Sequence, residues 1–272
     1  MKRLALLLLA ASLALAGCYT NPVTGRKSLV LLSQGEELTL GAQSFQQIRE
    51  KEKVSADPAS NARVTRIGQR IAKAVGNELP DAKWEFVVFD SNQLNAFALP
   101  GGKVGVYTGL IKLAENDSEL AIVMGHEIGH VIARHGAERM SEAMVISGVG
   151  ALGAAAVEAK TGDAATRQTF ELAYGGLTTI GRVLPHSRGN ESEADRMGAI
   201  YAARAGYDPR ASITFWQKMM AQKQAAGGAA SEGKLGALLS THPADTTRIA
   251  DLKALMPSVL PTYEQNKGKF ND

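Results

Sequence analysis

The stretch "MGHEIGHVIARHG", residues 124–136, places His126, His130 and His135 within ten positions and sets Glu127 directly after the first of them. Imidazole nitrogens bind zinc and other transition metals, and a carboxylate beside them can accept a proton. On an α-helix His126 and His130 point in directions that differ by only about 40°, so both rings can reach one ion. His135 follows nine residues after His126, about 180° around the same helix, and points away from the ion if that helix continues. "HEIGH" thus fits the pattern HExxH, two zinc ligands with a glutamate between them as general base. A rival pattern, HExxHxxGxxH, draws a third histidine from the same segment. Here its glycine position is Ala133 and its third-histidine position is Gly136, so the third ligand must come from elsewhere.

A candidate lies downstream in "NESEAD", where Glu191 and Asp195 are four residues apart and share a helix face, while Glu193 lies about 200° from Glu191. Two histidines and one carboxylate, with a fourth position left for water, make a catalytic type of zinc site. Glu191 is assigned as that carboxylate, and Asp195 as the acceptor for the free N–H of a ligand histidine. The plain alternatives are two surface histidines on a helix and a solvated acidic helix start that favours the helix dipole.

These residues need elements to position them. "GEELTLGAQSFQQIREKEK" reads as a helix. "DPASNARVTRIGQRIAKAVG" reads as another, with Asp57 as N-cap, Pro58 at the first position, and Val64, Ile67, Ile71 and Val75 on one stripe. "KWEFVVFD" has strand composition, and "LNAFALPGGKVGVYTG" reads as two strands joined at Pro100, Gly101 and Gly102. Asn116 or Asp117 can cap the helix that carries HEIGH, with Glu119 placed to complete a capping box. From there the chain reads almost wholly helical, with helices over "ESEADRMGAIYAARAG" and "RASITFWQKMMAQKQ", a loop over "AAGGAASEGKLG", and a last helix beginning at Pro243. The whole is an α+β chain, mainly helical, with no internal repeat. The run 143–157, "AMVISGVGALGAAAV", carries no charge, and its fifteen residues are short for a bilayer, so it reads as a buried helix.

The chain has 272 residues, 45% hydrophobic and 21% charged, which excludes a disordered or fibrous protein. Its first seventeen residues, "MKRLALLLLAASLALAG", join a basic start to an apolar run and small residues, the form of a secretory signal peptide. Removing them with Lys2 and Arg3 lowers the net charge from +3 to +1, and no basic cluster supports nucleic-acid binding. Cys18 is the only cysteine, so no internal disulfide can form. "LAGC" resembles the bacterial lipobox, which implies lipidation of Cys18. The expected domains are the signal peptide at 1–17, a lipidated tether at 18–34, a metallopeptidase domain at 35–260 and a C-terminal tail at 261–272.

Together "HEIGHVIARHG", "SRGNESEAD" and "LNAFALPGGKVGVYTGL" resemble the HtpX and CAAX prenyl-protease family of zinc metallopeptidases, over roughly residues 35 to 255. The lipobox points to its periplasmic lipoprotein branch. The resemblance implies a zincin-like fold with a small sheet beside the HExxH helix, one zinc ion on His126, His130 and Glu191, and Glu127 as the base. It also implies that the strand at Asn95, Ala96, Phe97 and Ala98 borders the cleft and pairs with extended substrate. His242 and Arg248 match an element that returns to the cleft. His242 would then fill the zinc's open position at rest or steady the oxyanion, as Arg248 would; the alternative is a helix-entry histidine. His186 is taken as structural. The chain lacks the long transmembrane helix of those relatives, so prenylated or membrane-embedded substrates are not expected, and 143–157 stands as a buried or interfacial remnant.

The expectation is a zinc endopeptidase anchored on the periplasmic side of the outer membrane of a Gram-negative bacterium, cleaving unfolded or misassembled envelope proteins. The alternative is a zinc-bearing chaperone or assembly factor for outer-membrane proteins with little turnover.

Overall fold

A computed structural model describes residues 17–162, 166, 168, 184–225, 242 and 246–270. The signal peptide and the "AAGGAASEGKLG" loop fall almost entirely outside these residues. The chain divides into two compact units. The larger comprises Pro22–Thr24, Gln34–Ala133 and the chain from Glu191 on, and the smaller comprises the segment ending at Asn21, Gly25–Ser33 and Arg134–Asn190.

In the larger unit, α1 (Gln34–Lys51) and α2 (Pro58–Val75) precede a three-stranded sheet of β3 (Glu85–Phe89), β4 (Ala96–Leu99) and β5 (Lys103–Tyr107). The strand order is β3-β5-β4. β5 runs parallel to β3, with Glu85 opposite Lys103, and antiparallel to β4, with Ala96 opposite Val106. The β4–β5 turn is built on Gly101 and Gly102, whose φ values of 88° and 79° fall where side chains are strained. α2 begins as its sequence dictates: the Asp57 carboxylate accepts from the N–H groups of Ala59 and Ser60, and Pro58 fills the first position. Its stripe of Val64, Ile67, Ile71 and Val75 is buried, and at Gly68 a Cβ would come within 2.3 Å of the Phe86 ring, so the glycine lets the helix lie on the sheet.

A short helix α3 (Thr108–Leu113) leads into α4 (Asp117–Ile132), which carries HEIGH. Asn116 caps α4 by accepting from the Glu119 N–H at 2.9 Å. Glu119 does not close the capping box on Asn116; its carboxylate accepts from the N–H of Glu115 at 3.0 Å and from Lys218 at 2.8 Å. α4 is apolar on nearly every side because it is the core element, packed on β4, on α2 and on α7 (Ala211–Ala225). Leu120, Met124 and Ile128 on it are fully or almost fully buried, each stabilising the fold by about 1.5–3 kcal/mol.

The acidic motif lies on α6 (Leu184–Arg204), and α8 (Thr246–Asn266) packs on α7. His186, taken as structural, falls within the range of α6. Residues set apart as a tail continue α8 to Asn266, and the backbone carbonyl of Phe270 accepts from Arg70 at 3.1 Å.

In the smaller unit the tether forms an antiparallel hairpin, β1 (Cys18–Thr20) with β2 (Lys27–Leu29). It packs on α5 (His135–Thr161) through Val30, Leu32 and Ala137, while Arg26 grips Glu138 through two hydrogen bonds of 2.8 Å. The expectation of a buried helix over 143–157 is corrected here. Met144, Val145, Val149 and Leu152 on α5 are exposed, Leu152 over 75% of its surface. A run without charge shows that a helix avoids bulk water, but not what it faces instead. The stretch His135–Lys160 is also long and apolar enough to cross a membrane by length and composition, which corrects the reading that the chain has no such helix.

Candidate metal centre

α4 presents His126 and His130 on one face, as the i, i+4 spacing requires, and α6 brings Glu191 to them. The two helices touch backbone to backbone. A Cβ on Gly198 would lie 2.8 Å from the His126 nitrogen, and one on Gly125 would lie 3.1 Å from the Gly198 carbonyl oxygen. His242 enters as a fourth donor, and one ligand atom from each of His126, His130, Glu191 and His242 lies within 4.8 Å of every other.

The spacing is that of a coordination sphere. His126 Nε2 stands 3.1 Å from His130 Nε2 and 3.1 Å from His242 Nδ1, and Glu191 Oε2 lies 2.9 Å from His242 Nδ1. Glu191 also reaches His126 Nε2 at 3.4 Å and His130 Nε2 at 3.3 Å. Zinc–ligand bonds of about 2.0–2.1 Å give a tetrahedron with edges of about 3.3–3.4 Å, close to these separations. Asp195 Oδ1 accepts from His126 Nδ1 at 2.9 Å, which leaves Nε2 as the His126 nitrogen that faces His130 and His242. Three imidazoles with one carboxylate at these separations suit zinc.

The electrostatics agree. Burial pushes His126 toward the neutral form, but Asp195 and Glu191 overcome it and raise its pKa to about 10. Burial likewise works against charge on Glu191, yet the histidines around it hold its carboxyl far below the usual carboxylate range. The pocket therefore favours positive charge between its carboxylates. Glu127 is different: burial raises its pKa although His242 and His126 pull it down. Its Oε1 is buried without a hydrogen-bond partner; His242 Nε2 is 3.4 Å away but not aligned to donate.

The structure brings together His126, His130, Glu191 and His242, with Glu127 at their side and Asp195 behind His126. Arg248, expected to steady the oxyanion, is 2% exposed; it donates to Asp195 from Nε at 2.6 Å and from one terminal nitrogen at 2.7 Å, and its other terminal nitrogen lies 3.4 Å from Glu191 Oε2. The helix that carries HEIGH does not continue to His135. α4 ends at Ile132, Arg134 takes a left-handed conformation with φ 57°, and His135 opens α5 as a fully buried residue. β4, carrying Ala96, Phe97 and Ala98, lies along α4 and is an edge of its sheet among the described residues. Cys18 is a free, exposed thiol at the start of β1.

Sequence reasoning missed Trp216. Its indole N–H donates to Asp195 Oδ1 at 3.1 Å, and the Arg248 guanidinium lies 3.9 Å from its ring centroid. A buried tryptophan usually finds an acceptor for its N–H, but nothing in the spacing ties position 216 to 195.

Residues 58–256 match the sequence pattern of Peptidase family M48. The chain is 34% identical over 197 residues to the mitochondrial metalloendopeptidase OMA1 of Schizosaccharomyces pombe, covering 71% of this chain and 52% of that protein. It is 32% identical over 276 residues to the protein of the same name from Saccharomyces cerevisiae, covering 94% and 76%. Over 257 residues it is 30% identical to the beta-barrel assembly-enhancing protease of Escherichia coli strain K12, covering 92% and 50%. It thus spans about half the length of the first and third of these relatives.

Proposed function

The chain belongs to peptidase family M48, and from that premise we propose that it is a zinc-dependent endopeptidase that cleaves unfolded or misassembled polypeptides in a bacterial cell envelope. The observation that carries the reading is the pairing of a four-donor cluster with a buried glutamate at its side, Glu127, whose Oε1 has no hydrogen-bond partner.

Zinc, when bound, supplies the Lewis acidity that polarises a peptide carbonyl and makes water nucleophilic near neutral pH. His126, His130 and Glu191 would hold it, and Asp195, accepting from His126 Nδ1, would fix the tautomer and angle of that ring. Glu127 takes the proton of the attacking water and passes it to the leaving amine nitrogen. The edge of β4 receives an extended peptide by strand addition, which fixes the scissile bond through backbone hydrogen bonds rather than side-chain identity and so suits unfolded substrates. His242 stands with Nδ1 in the donor cluster and Nε2 3.4 Å from Glu127 Oε1. A water placed between the cluster and Glu127 would require it to move aside for turnover.

That last feature favours a second reading. A zinc ion with four protein ligands is closed, as in structural sites, so the protein can also act as a chaperone or assembly factor that turns over little. The envelope placement rests on "LAGC" and lipidation at Cys18, with the exposed apolar surface of α5 suited to a lipid interface.

The Glu127→Gln variant tests both readings. Zinc retained with casein cleavage abolished supports the peptidase; unchanged, zinc-independent cleavage sinks it. Full rescue of an envelope defect by the same variant favours the chaperone. Metabolic labelling with palmitate, lost in Cys18→Ala, checks the anchor.

A further inference from the structure

We propose that Trp216 is a positioning residue for the metal ligand His126, acting through Asp195; the proposal rests on the metal-site reading above. Asp195 receives four N–H groups. Oδ1 accepts from His126 Nδ1 at 2.9 Å, from Trp216 Nε1 at 3.1 Å and from an Arg248 terminal nitrogen at 2.7 Å, and Oδ2 accepts from Arg248 Nε at 2.6 Å. Oδ1 thus receives three of the four N–H groups and Oδ2 one, so the carboxylate is held mainly through the oxygen that meets His126. The Arg248 fork sets the direction of the carboxylate along the axis joining the two groups but restrains twist about that axis less firmly. The indole N–H, arriving from α7, gives the further direction that stops this motion. Asp195 then holds the His126 ring at one angle.

Trp216 does this twice over. Its face carries the Arg248 guanidinium at 3.9 Å, and its ring lies 5.8 Å from the His126 ring at an interplanar angle of 63°. One side chain therefore touches His126, Asp195 and Arg248. Because the indole is neutral, it orients Asp195 without adding a second cation to compete for the carboxylate. Phe215 backs the indole edge-on at 5.4 Å, so the ring is itself held.

The experiment is zinc affinity by chelator competition for wild type, Trp216→Phe, Asp195→Ala and the double variant. Trp216→Phe keeps the apolar ring and loses the donor. It is expected to bind zinc 10–100-fold more weakly, the usual cost of removing a partner behind a metal ligand. Added to Asp195→Ala it is expected to cost less than a further twofold, since its path to His126 is already cut. Affinity within twofold of wild type in Trp216→Phe overturns the proposal, and so does an undiminished loss on top of Asp195→Ala. Should the Phe variant fail to fold, benzothienylalanine at 216, in which sulfur replaces the N–H at nearly the same shape, tests the same bond. Wild-type protein that binds no zinc overturns the metal-site reading and this one together; tight wild-type binding with an equally tight Phe variant overturns this one alone.

Discussion

Gly198 on α6 and His126 on α4 meet without side-chain separation: a Cβ at 198 would sit 2.8 Å from the His126 nitrogen and 3.1 Å from its Cα. The distance between the histidine pair and Glu191 is thus set by main chain against main chain. Gly198→Ala should force the helices apart by several tenths of an ångström. We expect a loss of about 1–3 kcal/mol in stability from overpacking and a drop in zinc affinity, read by denaturant unfolding and chelator competition. Wild-type zinc affinity in that variant would show that the crossing does not set the ligand spacing.

Glu127→Gln removes the proton acceptor and keeps nearly the same shape. Casein cleavage should fall by about 10²–10⁴-fold, with zinc content per chain unchanged. Loss of zinc from the variant would instead make Glu127 part of the metal's coordination.

His242→Ala vacates the space between the donor cluster and Glu127. Turnover of casein should rise severalfold while zinc is held by the remaining three donors. A fall to the level of Glu127→Gln, with zinc retained, would mean that His242 works on the substrate rather than in front of it.

Arg248 and Asp195 form a buried ion pair, and removing one partner strands the other charge. Arg248→Ala should cost about 3–5 kcal/mol of unfolding free energy, and Arg248→Lys should recover little of it, since an ammonium cannot make the two parallel bonds. Urea midpoints at neutral pH decide this.

Asp117, at the start of α4, titrates away from the site. Burial pushes its carboxyl up, but Arg63 and Arg66, each at 2.7 Å, outweigh burial and hold it below the ordinary aspartate value. Its contribution is therefore fully present above the unfolded value of about 3.9 and is lost as the pH falls through the lower folded value. At 32% side-chain exposure the effect is about 0.2–1 kcal/mol. Asp117→Asn should destabilise at pH 6 and have little further effect near pH 2, measured by urea midpoints at both.

Much of the site is readable because helical spacing is local. The four-residue steps from His126 to His130 and from Glu191 to Asp195 put each pair on one face whatever the rest of the chain does, and Asp57 and Asn116 cap their helices by bonds that span three residues at most. The signals failed where partners are distant. For Arg248, expected to steady the oxyanion, nothing near it in sequence shows that Asp195, 53 positions earlier, takes the edge formed by Nε and one terminal nitrogen. Trp216 sat in a helix without a clear stripe. The left-handed turn at Arg134 has no glycine or proline at that position to mark it, so the sequence leaves open whether the helix continues to His135. α5 was misread because apolar composition cannot distinguish a core from an exposed surface.

The ligands also differ in how much folding each requires. His126 and His130 meet in a single helical turn, but Glu191 lies 61 positions beyond His130 and His242 another 51 beyond that, so the complete set exists only once α4 and α6 have crossed. An unfolded chain offers zinc at most a pair of imidazoles. Zinc then binds the native form in preference, adding about 2.7 kcal/mol of stability when free zinc stands at a hundred times its dissociation constant. The thermal midpoint of this protein is for that reason also a zinc titration: it should climb with the logarithm of free zinc and fall under a chelator to the value of the metal-free fold.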